Sequence, residues 1–274
     1  MGVFELAEPL FDHLKMYFGE PYDVGNSMTI TIPTVGDVLA LENSDMTFYQ
    51  TLYLFVCNPT SYRLMLWDQG IDWCKISDYE LFIMIHKSAD ENVTHMLFGD
   101  VDFQGFQLYS KATVQLGENG EPQEVNISTL YNPETEVELS SEDYTKISEY
   151  LRAAFNIYPK VEKAKGRATK EAIIDEERWN LAARERNGEN KPTSTLLPLI
   201  SSCINHPGFK YKLEELRNVN FVQFMDSVQR LQIYENTRAM LAGSMSGFCD
   251  MSKVPKEEFN WMRDLAPTGK DSKK

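Results

Sequence analysis

Residues 48–67 read FYQTLYLFVCNPTSYRLMLW, a run dense in Phe, Tyr, Leu and Met. Its length and apolar density predict a buried helix. Pro59 has no amide hydrogen to donate and disfavours a helical conformation at Asn58, so we expect the helix to break there and to restart at Thr60 or Ser61. Because 42% of the whole chain is hydrophobic, this stretch indicates a packed core rather than a disordered protein.

Shorter elements are predicted on either side of this stretch. Apolar residues over 3–18 have helical spacing, and the β-branched alternation of residues 28–33 predicts a strand. Thr34 is expected to cap the helix that follows. Ser77 is expected to cap a further helix over residues 78–86.

The middle of the chain supplies the predicted β component. Residues 96–99 and 103–109 have the composition of strands. Residues 112–116 and 124–130 flank Gly117-Glu-Asn-Gly120, a turn signal that predicts a β-hairpin.

The chain after residue 140 predicts helices. The strongest pattern places apolar residues three or four apart over five turns between Phe221 and Leu241. Residues 160–186 are rich in Lys, Arg, Glu and Ala, which is typical of a long exposed helix. Further helices are predicted over residues 144–155 and 195–204.

Together these elements predict an α+β fold with two domains. We expect a mixed amino-terminal domain over residues 1–145, with a small antiparallel sheet or hairpin, and a mainly α-helical carboxyl-terminal domain over residues 146–274. A linker is expected near residues 187–193, where Asn, Gly and Pro cluster.

The net charge changes sign near the predicted boundary. Residues 1–150 hold 6 Lys/Arg and 25 Asp/Glu, and residues 151–274 hold 21 and 16, so net charges of −19 and +5 make up the chain's −14. Such overall acidity argues against a nucleic-acid binder with a basic surface throughout. The asymmetry indicates two regions with different partners, or two regions that attract one another.

No catalytic or metal-binding motif stands out. The sequence has no Walker A loop, GxGxxG fingerprint, HExxH pair or EF-hand loop. Met245 occupies the serine position of an elbow-like GSMSG, so a helix end at Gly243 or Gly247 is favoured. The four histidines are scattered and the four cysteines lie far apart, with Cys57 in an apolar run that predicts an inert thiol. We predict no catalytic residue, no metal and no cofactor.

Two sets of charged residues have several interpretations. The acidic pairs Asp68/Asp72 and Asp100/Asp102 resemble glycosidase carboxylates only in type, and a solvated acidic surface is favoured. The basic residues of 160–170 are interpreted as a solvated helix face with salt links, in preference to a nucleic-acid site, because aromatic interleaving is missing. A third interpretation is contact with an acidic protein surface, such as the first half of another copy.

Three stretches carry a resemblance to a known family. Residues 55–73 read FVCNPTSYRLMLWDQGIDW, residues 222–232 read VQFMDSVQRLQ, and residues 239–265 read AMLAGSMSGFCDMSKVPKEEFNWMRDL. This text resembles the tail assembly chaperones of long-tailed, siphovirus-type phages of Gram-positive hosts, which are encoded beside the tape measure protein.

The resemblance implies a non-enzymatic factor in the cytoplasm of the infected host. Such chaperones coat the tape measure protein, keep its long hydrophobic helices from aggregating, and recruit tail tube subunits. The implied partners are therefore the tape measure protein and the tail tube protein, with homo-oligomer formation left open. A membrane partner is not expected, since no apolar run approaches the roughly 20 residues that cross a bilayer.

Two apolar faces are the candidate partner contacts. One lies on the helix over residues 221–241, and the other on a short helix that Pro255 is expected to open. Exposed, they would form a docking surface; otherwise they pack as a helical hairpin on their own core. The candidates are Phe221, Phe224, Met225, Val228, Leu231, Phe259, Trp261 and Met262. The alternative functions are a structural virion protein of the tail or connector, and an enzyme with a site assembled from dispersed residues.

Overall fold

Helices form most of the structure, and two small antiparallel sheets complete it. The computed structural model describes residues 11–116, 122–188, 193–246 and 254–263, with side chains described except at 113–116 and 122–126. The elements are α1 (His13–Tyr17), β1 (Tyr22–Gly25), β2 (Met28–Ile30), α2 (Val35–Ala40), α3 (Asp45–Val56), α4 (Arg63–Asp68), α5 (Asp78–Ile85), α6 (Glu91–Phe98), β3 (Gln107–Leu116), β4 (Pro122–Asn132), β5 (Val137–Leu139), α7 (Ser141–Phe155), α8 (Arg167–Arg186), α9 (Leu196–Ile204), α10 (Leu213–Leu216) and α11 (Phe221–Ser246). The predicted α+β class is confirmed.

Helix α3 is the element around which the core is built. It packs against α2, α5, α6 and α7. Its Phe48 side chain has no exposed surface, and the Phe48 ring centroid lies 5.4 Å from those of Phe155 and Phe221. Two turns further along α3, the ring centroid of Phe55 lies 5.2 Å from that of Phe82. Because a buried aromatic ring removes about 150–250 Å² from water, these rings dominate the burial of α3.

The predicted break after this helix is confirmed. Helix α3 ends at Val56, and a 3₁₀ turn follows over Pro59–Tyr62. Asn58 Oδ1 accepts a hydrogen bond from Ser61 N at 3.1 Å and so caps that turn. The α-helical conformation resumes only at Arg63, later than expected, because the turn retains 3₁₀ geometry.

Three helices begin at reciprocal capping boxes. The caps are Thr34, Ser77 and Ser140, and each side chain accepts a hydrogen bond from the amide three residues later, whose acidic side chain accepts one from the cap in return. These bonds fix the starts of α2 and α5, as the sequence predicted, and that of α7, which begins at Ser141 and so earlier than the predicted residue 144. The returning acids are Asp37, Glu80 and Asp143.

The predicted hairpin is formed by β3 and β4, which pair antiparallel over ten residue pairs. Strand β5 extends the sheet beside β4. Residues 117–120, the predicted turn, lie outside the described ranges. Tyr79 joins α5 to this sheet, since its hydroxyl donates to Leu139 O at 2.6 Å and accepts from Leu130 N at 3.1 Å.

The strand predicted over residues 28–33 is confirmed over Met28–Ile30, but the one predicted over 96–99 was wrong. Residues 96–99 belong largely to α6, which Asp90 caps through hydrogen bonds to two amides. Val93 and Leu97 lie four residues apart and face the core, so the short apolar run is helical. The strand predicted over 103–109 begins only with β3.

Several predicted helix boundaries also changed. The long helix predicted over 160–186 starts only with α8, because the residues from 160 to 166 form no regular secondary structure. Helix α11 continues through Gly243, and Gly247 lies outside the described part of the chain. Of the helix predicted over 3–18, only α1 falls among the described residues, since 1–10 do not.

Side chains from both predicted domains belong to one contiguous hydrophobic core. An isolated antiparallel bridge joins Thr34 to Asn220, and Phe221 N donates to Pro33 O at 2.8 Å. The start of α11 is therefore tied to the residues that precede α2. The division near residue 145 stays a prediction that rests on charge and element type.

We expect Phe48→Ala to lower the free energy of unfolding by about 3–5 kcal/mol, because it removes a ring buried against two other segments. Urea unfolding followed by circular dichroism measures this loss. The matched control is Phe18→Ala, whose ring is mostly exposed and whose effect should stay within about 0.5 kcal/mol. Equal effects of the two substitutions would contradict the central place given to Phe48.

Candidate interaction groove

The amino-terminal half of α11 belongs to the core. Phe221 and Phe224 have no exposed surface, and Val228 is buried. Met225 and Leu231 are partly buried against the same cluster. The first three of these predicted partner contacts therefore pack inside the protein in this fold. Helical spacing marks a buried face but does not say what buries it.

The carboxyl-terminal half of α11 carries an apolar face that the core leaves uncovered. Leu231, Tyr234, Leu241 and Met245 lie on one side of the helix and are called here the α11 stripe. Leu231 is partly buried and the other three are exposed, Met245 by 85%. At 1.5 Å per residue the stripe is about 21 Å long. It is the part of the predicted apolar pattern that remains accessible.

Residues 254–263, called here the C-terminal strap, lie against this half of α11. Thr237 Oγ1 donates to Glu258 O at 3.1 Å, and Arg230 donates to Arg263 O at 2.6 Å. The ring of Trp261 meets that of Tyr234 edge-on at 5.9 Å. Thr237 is buried although it lies far from the core.

The strap holds the remaining predicted partner contacts. Phe259 is partly buried, whereas Trp261 is exposed and Met262 is 68% exposed. Pro255 caps a single 3₁₀ turn, Lys256–Phe259, in place of opening an α-helix. The structure thus brings Leu231 and Trp261 to one face of α11 and separates them from the buried residues at its start.

A groove of about 570 Å³ lies between α1, the loop before α10, α11 and the strap. Its aromatic lining consists of Tyr17, Phe209, Tyr211, Tyr234 and Trp261. Asp226 forms a polar point in it, with Tyr17 Oη 3.4 Å and Arg230 Nε 3.5 Å from its carboxylate. Burial raises the pKa of Tyr17, so its hydroxyl stays protonated and donates to Asp226. Such a groove can hold apolar side chains at its centre and polar groups at its rim.

Three residues of this groove were missed in the sequence. Tyr17 comes from α1, and Phe209 and Tyr211 come from the loop before α10. Their only signal is a pair of aromatics directly after the turn at Gly208. Tyr17 meets Asp226 across 209 residues of chain, and such a contact leaves no periodic trace in a sequence.

The stretch 55–73, which carries part of the family resemblance, has a structural role here. Asn58 Nδ2 donates to Lys160 O at 3.1 Å, and Trp73 Nε1 donates to Glu162 O at 3.2 Å. Thr60 exchanges two hydrogen bonds with the backbone of Glu162. These hydrogen bonds fix the position of the segment that leads into α8.

Ion pairs then attach α8 to the same stretch. Lys170 is buried, its Nζ lies 2.6 Å from Asp72 Oδ2, and it stands over the Trp73 ring at 5.8 Å. Arg178 pairs with Asp68, so the pair Asp68/Asp72 binds cations and is not a freely solvated acidic surface. Arg63 forms two further ion pairs, one with Glu162 and one with Glu177.

The remaining candidates for chemistry are the Cys57 thiol, the cleft beside α3 and clusters of metal-ligating side chains. Burial raises the pKa of Cys57 to about 12, with Asp78 adding to the shift, so the thiol stays protonated at neutral pH. An open cleft of about 930 Å³ lies beside α3, where buried Asp45 accepts hydrogen bonds from Ser194 and Thr195. In the described ranges no three His, Cys, Asp or Glu side chains converge as a metal site. Nor does any helix in those ranges combine the length and apolarity needed to span a bilayer.

We expect Asp72→Asn to destabilise the protein by about 1–3 kcal/mol at pH 7, because it leaves Lys170 buried without its counter-charge. Breaking a fully buried pair costs about 3–5 kcal/mol, but 26% of the Asp72 side chain is exposed, which lowers the expected value. Urea unfolding measures the difference. The control Asp100→Asn removes a fully exposed carboxylate and should change little.

The same pair predicts a pH dependence. The hydrogen bond from Lys170 lowers the pKa of Asp72, so its contribution is present above the unfolded value of about 3.9 and is lost as pH falls through the folded value. The difference between wild type and Asp72→Asn should therefore shrink below about pH 4. A difference that stays constant down to pH 2 would rule out the ion pair as its cause.

Comparisons with known proteins supply no relative. No protein family, no curated protein and no solved structure matches the chain. The features that bear on function are therefore the groove, the α11 stripe and the residues that carry the sequence resemblance.

Proposed function

We propose that the protein is a non-enzymatic tail assembly chaperone that binds the tape measure protein in the host cytoplasm and helps to recruit tail tube subunits. The observation that carries the proposal is the α11 stripe, an apolar helical face left uncovered beside an aromatic groove. The resemblance of residues 222–232 and 239–265 supplies the identity of the partner, and the described residues of both stretches lie on α11 or on the strap.

The stripe has the geometry of a helix-binding surface. Its residues recur at intervals of three to seven along about four turns, which is the spacing that an amphipathic helix presents to a partner. Tyr17, Phe209, Tyr211 and Tyr234 line the groove beside it, and aromatic residues commonly anchor protein interfaces. A tape measure protein is expected to offer long apolar helical faces, and covering them prevents their aggregation.

Charge adds selectivity to this surface. Asp226 and Arg230 place both signs at the rim of the groove, so a partner helix needs matching charges beside its apolar residues. The acidic remainder of the chain repels acidic proteins at longer range. Both effects favour one register of one partner over general hydrophobic binding.

Co-expression with the tape measure protein of the neighbouring gene tests the proposal. The full-length chain should capture that protein and keep it soluble. Leu241→Asp places a charge in the stripe and should weaken capture about tenfold, which corresponds to about 1.4 kcal/mol. The control Leu108→Asp alters an exposed leucine on β3 and should leave capture unchanged.

Failure of the wild-type protein to capture or solubilise the tape measure protein would refute the proposal. Mass spectrometry of purified virions separates it from the structural alternative. A chaperone should be scarce in the particle, whereas a tail or connector protein should be present in stoichiometric amount.

A further inference from the structure

The C-terminal strap lies against α11 and contacts the α11 stripe at Tyr234, with few contacts in all. No residue of the strap is buried. Two hydrogen bonds from α11, donated by Arg230 and Thr237, and one edge-on contact between Trp261 and Tyr234 join it to the helix. Segments with so little buried apolar surface open at low cost in free energy.

The strap keeps its shape through bonds of its own. The Arg263 guanidinium donates to Glu258 O at 3.0 Å and to Asn260 O at 3.2 Å, and it pairs with the Glu258 carboxylate at 2.6 Å. Because these bonds lie within the strap, it can leave α11 as a unit without losing them. Arg263 therefore stabilises the docked shape from the strap's side alone.

The surface beneath the strap shows what it can bind. Arg230 and Thr237 both donate to backbone carbonyls of the strap, and Tyr234 receives an aromatic ring. An amphipathic helix offers the same chemistry, because the last four carbonyls at its carboxyl end have no partner inside the helix. Its apolar side chains would continue onto Leu241 and Met245.

We propose that the C-terminal strap is an intramolecular competitor for the α11 stripe. In the free protein the strap lies on the stripe at Tyr234, and an amphipathic partner helix displaces it. An apolar side chain of that helix replaces Trp261, and carbonyls of its last turn accept the bonds from Arg230 and Thr237. The inference rests on the proposed function, since it describes the regulation of the same face.

Competition of this kind changes affinity in a defined way. The apparent dissociation constant equals the intrinsic one divided by the fraction of molecules with an open strap. Only a partner that matches the stripe over its full length outcompetes the strap. The strap thus protects an apolar surface from non-specific contacts until the right helix arrives.

Strap variants of the full-length protein test this, with the tape measure protein of the neighbouring gene as the probe. Trp261→Ala and Arg263→Ala weaken strap docking and should tighten capture about fivefold. They should also speed hydrogen exchange of residues 230–241 in the free protein. Glu257→Gln is the control, because this exposed side chain of the strap makes no described hydrogen bond or ion pair, and it should change neither measurement.

The sign of the Trp261→Ala effect decides the outcome. Weaker capture would make Trp261 a direct partner contact, and unchanged capture would make the strap irrelevant; either result overturns the competitor role while the proposed function stands. Unchanged hydrogen exchange in Arg263→Ala also overturns it. If wild type captures nothing, the proposed function fails and the competitor role falls with it.

Discussion

The contact of Phe48 with Phe155 and Phe221 is the interaction on which the rest of the structure depends. It joins α3, α7 and α11, three helices that are far apart in the sequence. Because the first turn of α11 is fixed in this way, the remaining turns leave the core in a defined direction. The apolar stripe owes its exposed position to that anchoring, since a helix held at one end presents its other end to solvent.

Polar contacts do the corresponding work for α8. The residues of 58–73 hold the segment before α8 by hydrogen bonds, and Asp72 and Asp68 then bind Lys170 and Arg178. Part of the charge asymmetry is therefore used within one molecule, where acids of the first half bind cations of the second. The asymmetry had two interpretations, and these pairs favour attraction between the two regions.

The sequence predicted local features well where one residue type decides the geometry. Thr34 and Ser77 were identifiable as caps because a short polar side chain satisfies amides at a helix start. Pro59 predicted the break after α3, because proline has no amide hydrogen to donate. The strand prediction over residues 96–99 failed because a short apolar run fits a strand or a helix equally well. Only the Asp90 cap decides between them.

The candidate site was less predictable, for a different reason. The pattern of α11 identified an apolar face but not which turns the core would cover, since that depends on α3 and α7. The groove is also lined by Tyr17 of α1 and by Phe209 and Tyr211 of the loop before α10, which belong to other segments than α11. Trp261 was found because it is a large aromatic in a distinctive stretch, while its position against Tyr234 could only come from the fold.

The pairing of Phe221 with Pro33 has a consequence for the birth of the protein on the ribosome. A chain emerging from its amino terminus leaves the Phe48 ring without its Phe221 contact until residue 221 has been made and released, so this part of the core closes late in synthesis. Closing so long a loop is also slow, because its entropic cost precedes the contacts that reward it. The nascent chain therefore carries part of its own aromatic core unshielded until late in synthesis.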